Sequence, residues 1–336
     1  MLKVVVIGCG YWGPNLIRNF YLLGKSEVKC VADLDDERLN HMKKLYPFIE
    51  TTKNYKDIIN NPEIDLVAVA TPVHTHYKFA SEALSVGKHV FVEKPLTRLS
   101  QEAESLISLS NKNNCKLMVG HTFEYTAAVQ KMKKIVDSGE LGEIYYINAQ
   151  RLNLGLFQPD INVLWDLAPH DISIILYLLD QEPESVNAIG SSHINPAIED
   201  VAVLTMKFGG DLIAFIQSSW LDPDKVRKMT VVGSKKMMVY DDIQPTEKIR
   251  IYDKSVEAPK HYDTFAEYQY AYKYGDILIP LIDGTEPLRT ELSHFLDCIN
   301  KDETPISDGK SGLRVVKILE AAQQSIENGN VNIEVK

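Results

Sequence analysis

The chain has 336 residues, a formal net charge of −10, 45% hydrophobic and 24% charged residues, which describes a soluble globular protein of about two domains. The acidic balance argues against a nucleic-acid partner, which wants a basic face, and no apolar run reaches the length of a membrane span. Cys9, Cys30, Cys115 and Cys298 form no C-x-x-C pair, which speaks against a disulfide framework and against structural zinc.

Residues 2–7 read as an apolar strand, which leaves no room ahead of it for a signal peptide and points to a cytoplasmic protein. Residues 14–23 read as a helix with Pro14 in its first turn, where proline is tolerated. A second strand over 27–32 precedes a charged amphipathic helix over 35–46. Residues 66–70, 90–92 and 117–119 are further buried strands, separated by helices near 76–86 and 100–113. Strict alternation predicts a doubly wound parallel sheet, a Rossmann-type α/β domain over residues 1–121.

Beyond His121 the pattern changes. A helix over 127–136 ends at Asp137-Ser138-Gly139, a strand covers 144–152, and a short helix covers 169–179. Strands follow over 186–191, 201–208, 212–220, 228–232 and 237–240, with Gly209-Gly210 and Gly233-Ser234 as hairpin turns. This predicts an α+β domain over 122–336 with a large open, mainly antiparallel sheet, closed by helices over 289–300 and 312–328. The Tyr-rich stretch 261–275 has no clear period and reads as a loop or arm.

Gly8-Cys9-Gly10-Tyr11-Trp12-Gly13 lies between the first strand and the first helix. The first glycine permits a tight turn, the second lets the backbone approach a pyrophosphate, and the third allows close helix–strand packing. Asp33 ends the second strand about twenty positions beyond Gly13, where a dinucleotide fingerprint wants an acid. A carboxylate there accepts from both adenosine ribose hydroxyls and repels a 2′-phosphate, so NAD is favoured over NADP. Arg38, nearby, could serve such a phosphate or pair with acids. Tyr11 and Trp12 fall within the same cofactor turn.

Glu93-Lys94-Pro95 places two charges at the end of a buried strand, which otherwise should read as unbroken apolar sequence. The carboxyl ends of parallel strands are where open α/β sheets bind ligands. Lys94 there could hydrogen-bond or exchange a proton with a substrate oxygen, and Glu93 could orient it or face the cofactor; a surface ion pair before a turn is the alternative. Thr71 and Pro72 end another strand at the same crevice and are cofactor-side candidates. His74 and His76 are two apart and share no face, which speaks against a metal pair. His76 is read as a packing or hydrogen-bonding residue at the cofactor edge.

In Trp165-Asp166-Leu167-Ala168-Pro169-His170-Asp171, Asp166 and His170 are four apart and project on one side if the turn is helical. With a lysine they could make a proton-transfer set; alternatively Asp166 caps a helix that Pro169 begins.

With the glycine turn, Asp33, Glu93-Lys94-Pro95 and Asp166-x-x-x-His170 in order, the chain resembles the Gfo/Idh/MocA oxidoreductase family over nearly its full length. The resemblance implies NAD-dependent hydride transfer from a sugar or cyclitol hydroxyl, with Lys94 and His170 catalytic, Asp166 assisting, and no metal. It also implies a cis Lys94–Pro95 bond and a homodimer or homotetramer paired through the open sheet. Tyr11-Trp12-Gly13-Pro14-Asn15-Leu16, Gly120-His121-Thr122-Phe123, Arg151-Leu152-Asn153-Leu154-Gly155 and residues 164–173 look like the nucleotide-sugar 3-dehydrogenase branch, which acts on sugars such as UDP-N-acetylglucosamine. By that likeness His121, Arg151, Asn153 and Trp165 are candidate substrate contacts, with a structural role on the sheet the alternative for Arg151 and Asn153. The chain departs from that branch at Glu124, at Thr126-Ala127-Ala128 and at Leu156, where a basic residue often stands. An inositol or free-sugar dehydrogenase, an enzyme of transient NAD oxidation and a non-catalytic NAD- or sugar-sensing regulator are the competing expectations.

Overall fold

A computed structural model describes residues 1–257 and 270–335. The strands of the first sheet are β1 (Leu2–Ile7), β2 (Ser26–Ala32), β3 (Glu50–Thr52), β4 (Leu66–Val69), β5 (His89–Glu93) and β6 (Leu117–Gly120). Those of the second are β7 (Ile144–Leu152), β8 (Ser185–Ser191), β9 (Val201–Lys207), β10 (Ile213–Ser219), β11 (Val226–Gly233), β12 (Met237–Asp241), β13 (Ile249–Glu257), β14 (Ala271–Leu278) and β15 (Ile333–Glu334). The helices are α1 (Gly13–Leu23), α2 (Asp36–Leu45), α3 (Tyr55–Ile59), α4 (His76–Ser85), α5 (Ser100–Lys112), α6 (Ala127–Asp137), α7 (Val163–Leu179), α8 (Pro287–Lys301) and α9 (Gly309–Glu327).

The first sheet is parallel throughout, in the order β3-β2-β1-β4-β5-β6. Every residue of β4 is buried, which is why it reads as an unbroken apolar run. The strand order reverses between β1 and β4, and that switch point is where an open α/β sheet takes a ligand. Pro14 in the first turn of α1 and Gly24 just past its end, at φ 64°, bound the helix chemically as well as structurally.

This unit comprises Met1–Thr126 together with Thr285–Glu320, so it reaches beyond the expected limit at residue 121 and takes in a segment expected in the second domain. The apolar face of α8 explains the difference. Leu292, Phe295 and Leu296 are fully buried in one core with Phe20 and Phe91, and the rings of Phe91 and Phe295 lie 6.2 Å apart. Burying side chains of this size is worth about 1.5–3 kcal/mol each.

The second unit comprises Ala127–Gly284 and Ala321–Lys336. Its sheet runs β14-β13-β12-β11-β7-β10-β9-β8-β15. The neighbours are antiparallel except β7 and β10, which pair in parallel from Tyr146 with Ile213 to Leu152 with Ser219. Helix α7 packs on β7, β9 and β10. Ala202, Leu204 and Met206 of β9 are buried, whereas Val203 between them is exposed on the other face.

Two expectations change here. The helix expected to start at Pro169 starts at Val163: Asn162 is its N-cap, accepting the Trp165 N–H at 3.1 Å, and Pro169 lies inside it. Of the Tyr-rich stretch expected as a loop or arm, residues 271–275 belong to β14, which pairs with β13; residues 261–269 lie outside the described residues. Among the described residues no helix is long and apolar enough to cross a membrane.

Candidate active site

The glycine turn after β1 is shaped by two of its three glycines for packing and by the third for access. Gly8 has φ +100°, and a Cβ there would stand 2.5 Å from the Ala70 carbonyl oxygen. At Gly13 a Cβ would come within 2.0 Å of the Gly8 carbonyl oxygen. At Gly10 the nearest atom, Arg38 Nη1, is 3.8 Å away, so this glycine leaves an open flank beside the start of α1. The N-cap of α1 is Trp12, which gives no side-chain hydrogen bond, and the first turn holds no acid. Its unsatisfied N–H groups and the helix dipole therefore face an anion-ready site.

Asp33 follows β2 directly and reaches back to the turn, with Oδ2 accepting the Cys9 N–H at 2.6 Å and Oδ1 accepting the Asp35 N–H at 2.9 Å. Each oxygen keeps a lone pair for a ribose hydroxyl. Arg38 stands 3.8 Å from Asp33 and 3.4 Å from Asp35, pairing with acids. Tyr11 and Trp12 are exposed and meet edge to face, 5.5 Å between centroids. The open flank at Gly10, the uncapped helix start and the held carboxylate fit an NAD pyrophosphate and adenosine ribose.

Thr71 flanks the turn, its Cγ2 2.9 Å from where a Gly8 Cβ would be, and its hydroxyl accepts from Thr75 at 2.7 Å; Pro72 beside it is exposed. His76, expected as a packing or hydrogen-bonding residue at the cofactor edge, is buried between two carbonyls, with Nε2 2.7 Å from Thr71 O and Nδ1 2.9 Å from Pro95 O. It lies between the end of β4 and the turn that carries Lys94, and burial holds its pKa down against the two carbonyls, which favour a protonated ring.

Lys94 follows the last residue of β5, and the Lys94–Pro95 bond is cis. Glu93 is buried, and desolvation pushes its carboxyl up to about 7 against the opposing pull of the Lys94 charge and backbone N–H. His121, just past β6, is 1% exposed; burial and then the Lys94 charge press its pKa down to about 3, so the ring is neutral. Glu124, buried nearby on the same segment, is pushed up to about 8 by desolvation.

In the second unit Asp166 and His170 lie one turn apart on α7, on one face. Since the helix begins at Asn162, Asp166 is not its cap; its Oδ2 accepts the indole N–H of Trp220 at 3.1 Å. Trp220 is 1% exposed, and the chain beyond β7 folds over it: Gly155 donates its N–H to the Trp220 carbonyl at 3.0 Å. Asn153 is half-buried beside Gly155, and Trp165 is half-buried in the first turn of α7.

Arg151, expected as a substrate contact or a structural residue of the sheet, has a protein partner. Its Nε and Nη2 donate to Asp171 Oδ2 and Oδ1 at 2.8 and 2.9 Å, a buried bidentate pair tying β7 to α7 next to His170. Trp220, legible in the sequence only as a strand end, is a functional candidate that residue patterns did not single out. The Asp166–Trp220 juxtaposition joins residues 54 positions apart, beyond the reach of any local signal.

Residues 2–121 match the model of an oxidoreductase family with an NAD-binding Rossmann fold, Gfo/Idh/MocA, and residues 129–239 match a C-terminal domain model of the same family. The chain is 26% identical to a UDP-N-acetylglucosamine 3-dehydrogenase of Acidithiobacillus ferrooxidans, over 94% of each chain. It is 22% identical to a myo-inositol 2-dehydrogenase of Thermotoga maritima, over 97% of this chain and 96% of the relative. Among solved structures, a levoglucosan dehydrogenase in complex with NADH shares the fold at a TM-score of 0.84 and 20% identity, covering 100% of this chain and 99% of that one.

Proposed function

The chain is an NAD-binding oxidoreductase of the Gfo/Idh/MocA family, and from that premise we propose that it oxidises a ring hydroxyl of a sugar, with C3 of a nucleotide-activated hexose such as UDP-N-acetylglucosamine the leading substrate. The observation that carries this reading is the Asp166–His170 pair on one face of α7, with Asp166 fixed by Trp220.

When bound, NAD supplies the acceptor for the hydride. Lys94 hydrogen-bonds the hydroxyl oxygen and favours the negative charge that builds on it. His170 takes the hydroxyl proton as the carbon loses its hydrogen with the bonding electrons, leaving a ketone. Asp166 orients the imidazole side of the site, and Arg151–Asp171 and His76 hold the backbone that carries His170 and Lys94. Asp33 supports NAD over NADP by accepting from both ribose hydroxyls.

A second reading has its own observation. Leu154, Leu156 and Phe157 are exposed, and the segment 154–158 holds no cation for a diphosphate, which favours a free sugar or cyclitol. A panel of UDP-, dTDP- and GDP-sugars, free hexoses and inositols with NAD, with products read by mass spectrometry, separates the two. Loss of two hydrogens from a nucleotide sugar alone supports the first reading; activity confined to inositols or free sugars supports the second. Catalytic turnover without any oxidised product would leave transient redox chemistry, and no turnover would leave a sensor.

We further propose a cytoplasmic homo-oligomer that pairs through the open face of the nine-stranded sheet, where Tyr146, Ile189 and Val203 are exposed. Sedimentation of the purified protein as a monomer would remove that part of the reading.

A further inference from the structure

The segment that follows β7 packs on the residue that holds Asp166. Leu154 and Leu156 point away from the protein, 75% and 82% exposed, whereas Asn153 and Gly155 are half-buried. Asn153 donates its N–H to the Ser219 carbonyl at 3.1 Å, and Gly155 donates to the Trp220 carbonyl at 3.0 Å. A Cβ on Gly155 would stand 2.6 Å from Trp220 Cδ1. The Phe157 ring lies against the indole, with centroids 5.4 Å apart and planes at 57°.

Phe157 is 38% exposed and the indole beneath it 1%, so the phenyl ring is the layer between Trp220 and solvent on that side. An indole has one polar atom, the Nε1–H donor, and here it serves Asp166 Oδ2 at 3.1 Å. Nε1 is bonded to Cδ1, the atom that Gly155 approaches. The flat ring therefore cannot turn about its side-chain bonds without losing the Phe157 contact or striking Gly155, and either movement carries the donor off Asp166.

We propose that Phe157 is a positioning residue for the proton-transfer pair: it holds the Trp220 indole in the one orientation that fixes Asp166, and through Asp166 the face of α7 that bears His170. This deepens, and rests on, the reading of Asp166 and His170 as that pair. Gly155 shares the task, because a side chain there would displace Cδ1 and with it the donor. The loop between β7 and α7 thus contributes to the reaction by ordering a carboxylate, although none of these residues carries a charge.

Nuclear magnetic resonance of the whole protein, with no sugar added, reads the indole directly. The chain has three tryptophans, and the indole N–H signal missing from Trp220→Phe belongs to Trp220. In Phe157→Ala that proton exchanges with solvent about tenfold faster or more, while the backbone amides of the nine-stranded sheet keep their rates. Phe157→Tyr keeps the ring and the slow exchange. Gly155→Ala, which presses on Cδ1 from the other contact, moves the same signal. Turnover with UDP-N-acetylglucosamine and NAD tests the positioning. Phe157→Ala lowers kcat about fivefold with NAD affinity unchanged, and Phe157→Tyr recovers most of it. Because Phe157 acts through the indole donor, adding Phe157→Ala to Trp220→Phe lowers kcat no further, whereas a general loss of packing would add. Additive losses overturn the proposal, as does wild-type indole exchange in both Phe157→Ala and Gly155→Ala. If the wild type turns over no sugar, the sugar reading falls while the exchange measurement still decides whether Phe157 holds Trp220.

Discussion

Trp220 donates its indole N–H to the Asp166 carboxylate at 3.1 Å. The donor is itself immobile: its backbone N–H donates to the Asp200 carbonyl at 2.9 Å, and a Cβ on Gly155 would stand 2.6 Å from its Cδ1. Asp166 is therefore held by a fixed group rather than by a flexible side chain, and the helix turn passes that order to His170.

Trp220→Phe keeps an aromatic ring and removes the donor. Because a hydrogen bond to a charged group is worth about 1.5–3 kcal/mol, kcat falls about tenfold while NAD affinity is unchanged. Lys94→Ala and His170→Ala lower kcat by roughly two orders of magnitude or more. Steady-state kinetics beside a cofactor titration checks this, and near-normal turnover in both alanine variants would show that the roles are misassigned.

The glycines of the turn separate by kind of damage. Gly13→Ala must displace the Gly8 carbonyl, so it lowers the thermal midpoint of the protein without any cofactor. Gly10→Ala meets nothing closer than 3.8 Å and leaves that midpoint unchanged, yet it reduces the stabilisation that added NAD produces. Melting curves with and without NAD distinguish the two, and equal damage in the absence of NAD would refute the division.

Arg151 and Asp171 form a buried bidentate pair, with side chains 5% exposed on each side. Breaking it from one side leaves an uncompensated charge, so Arg151→Met or Asp171→Leu destabilises by about 3–5 kcal/mol, whereas the double replacement recovers most of the loss. Denaturant unfolding of the four proteins measures the coupling. Additive single effects would mean that the two groups do not act as a pair.

Glu124 makes stability depend on pH with a definite sign. Its carboxyl rises from 4.5 to about 8 on folding, so between those values the folded state holds a proton that the unfolded state has lost. Stability contributed by the neutral form is present below about 4.5 and is lost as pH rises to about 8, a few kcal/mol in all. His121 acts oppositely at lower pH, since its pKa falls to about 3 from 6.5 and stability grows as pH rises through that window. Glu124→Gln reduces the loss on the alkaline side, to which the raised Glu93 carboxyl also contributes; unfolding midpoints across pH test it, and an unchanged profile would contradict the burial argument.

Five strands of the parallel sheet and the nucleotide turn were legible because those strands are mostly buried and each glycine has a local duty; β3 was not, since Glu50, Thr51 and Thr52 are polar and none is buried. The second sheet was less so. In β13 the buried Ile249 and Ile251 give way to a charged, half-exposed end, and every residue of β14 is exposed, so neither shows a sustained alternation. The start of α7 was hidden by Pro169, because an interior proline costs a helix one hydrogen bond and reads as a beginning; Asn162 was the available cap signal. Nothing in the sequence marks Glu124 as buried, because carboxylates ordinarily stay in water, and only the packing shows that it does not. For Arg151 and His76, read as either structural or site residues, the packing shows partners that the sequence does not: Asp171 and two carbonyls.

The division of the first unit between residues 1–126 and 285–320 governs how the chain can be made. A ribosome releases Phe20, Phe91 and Met118 long before the helix that bears Leu292 and Phe295, so during translation an apolar strip waits for its cover while the intervening segment emerges. The part of the protein that starts first is completed only after most of the other has been synthesised, and a chain interrupted before α8 would present that strip to chaperones instead of to its own helix.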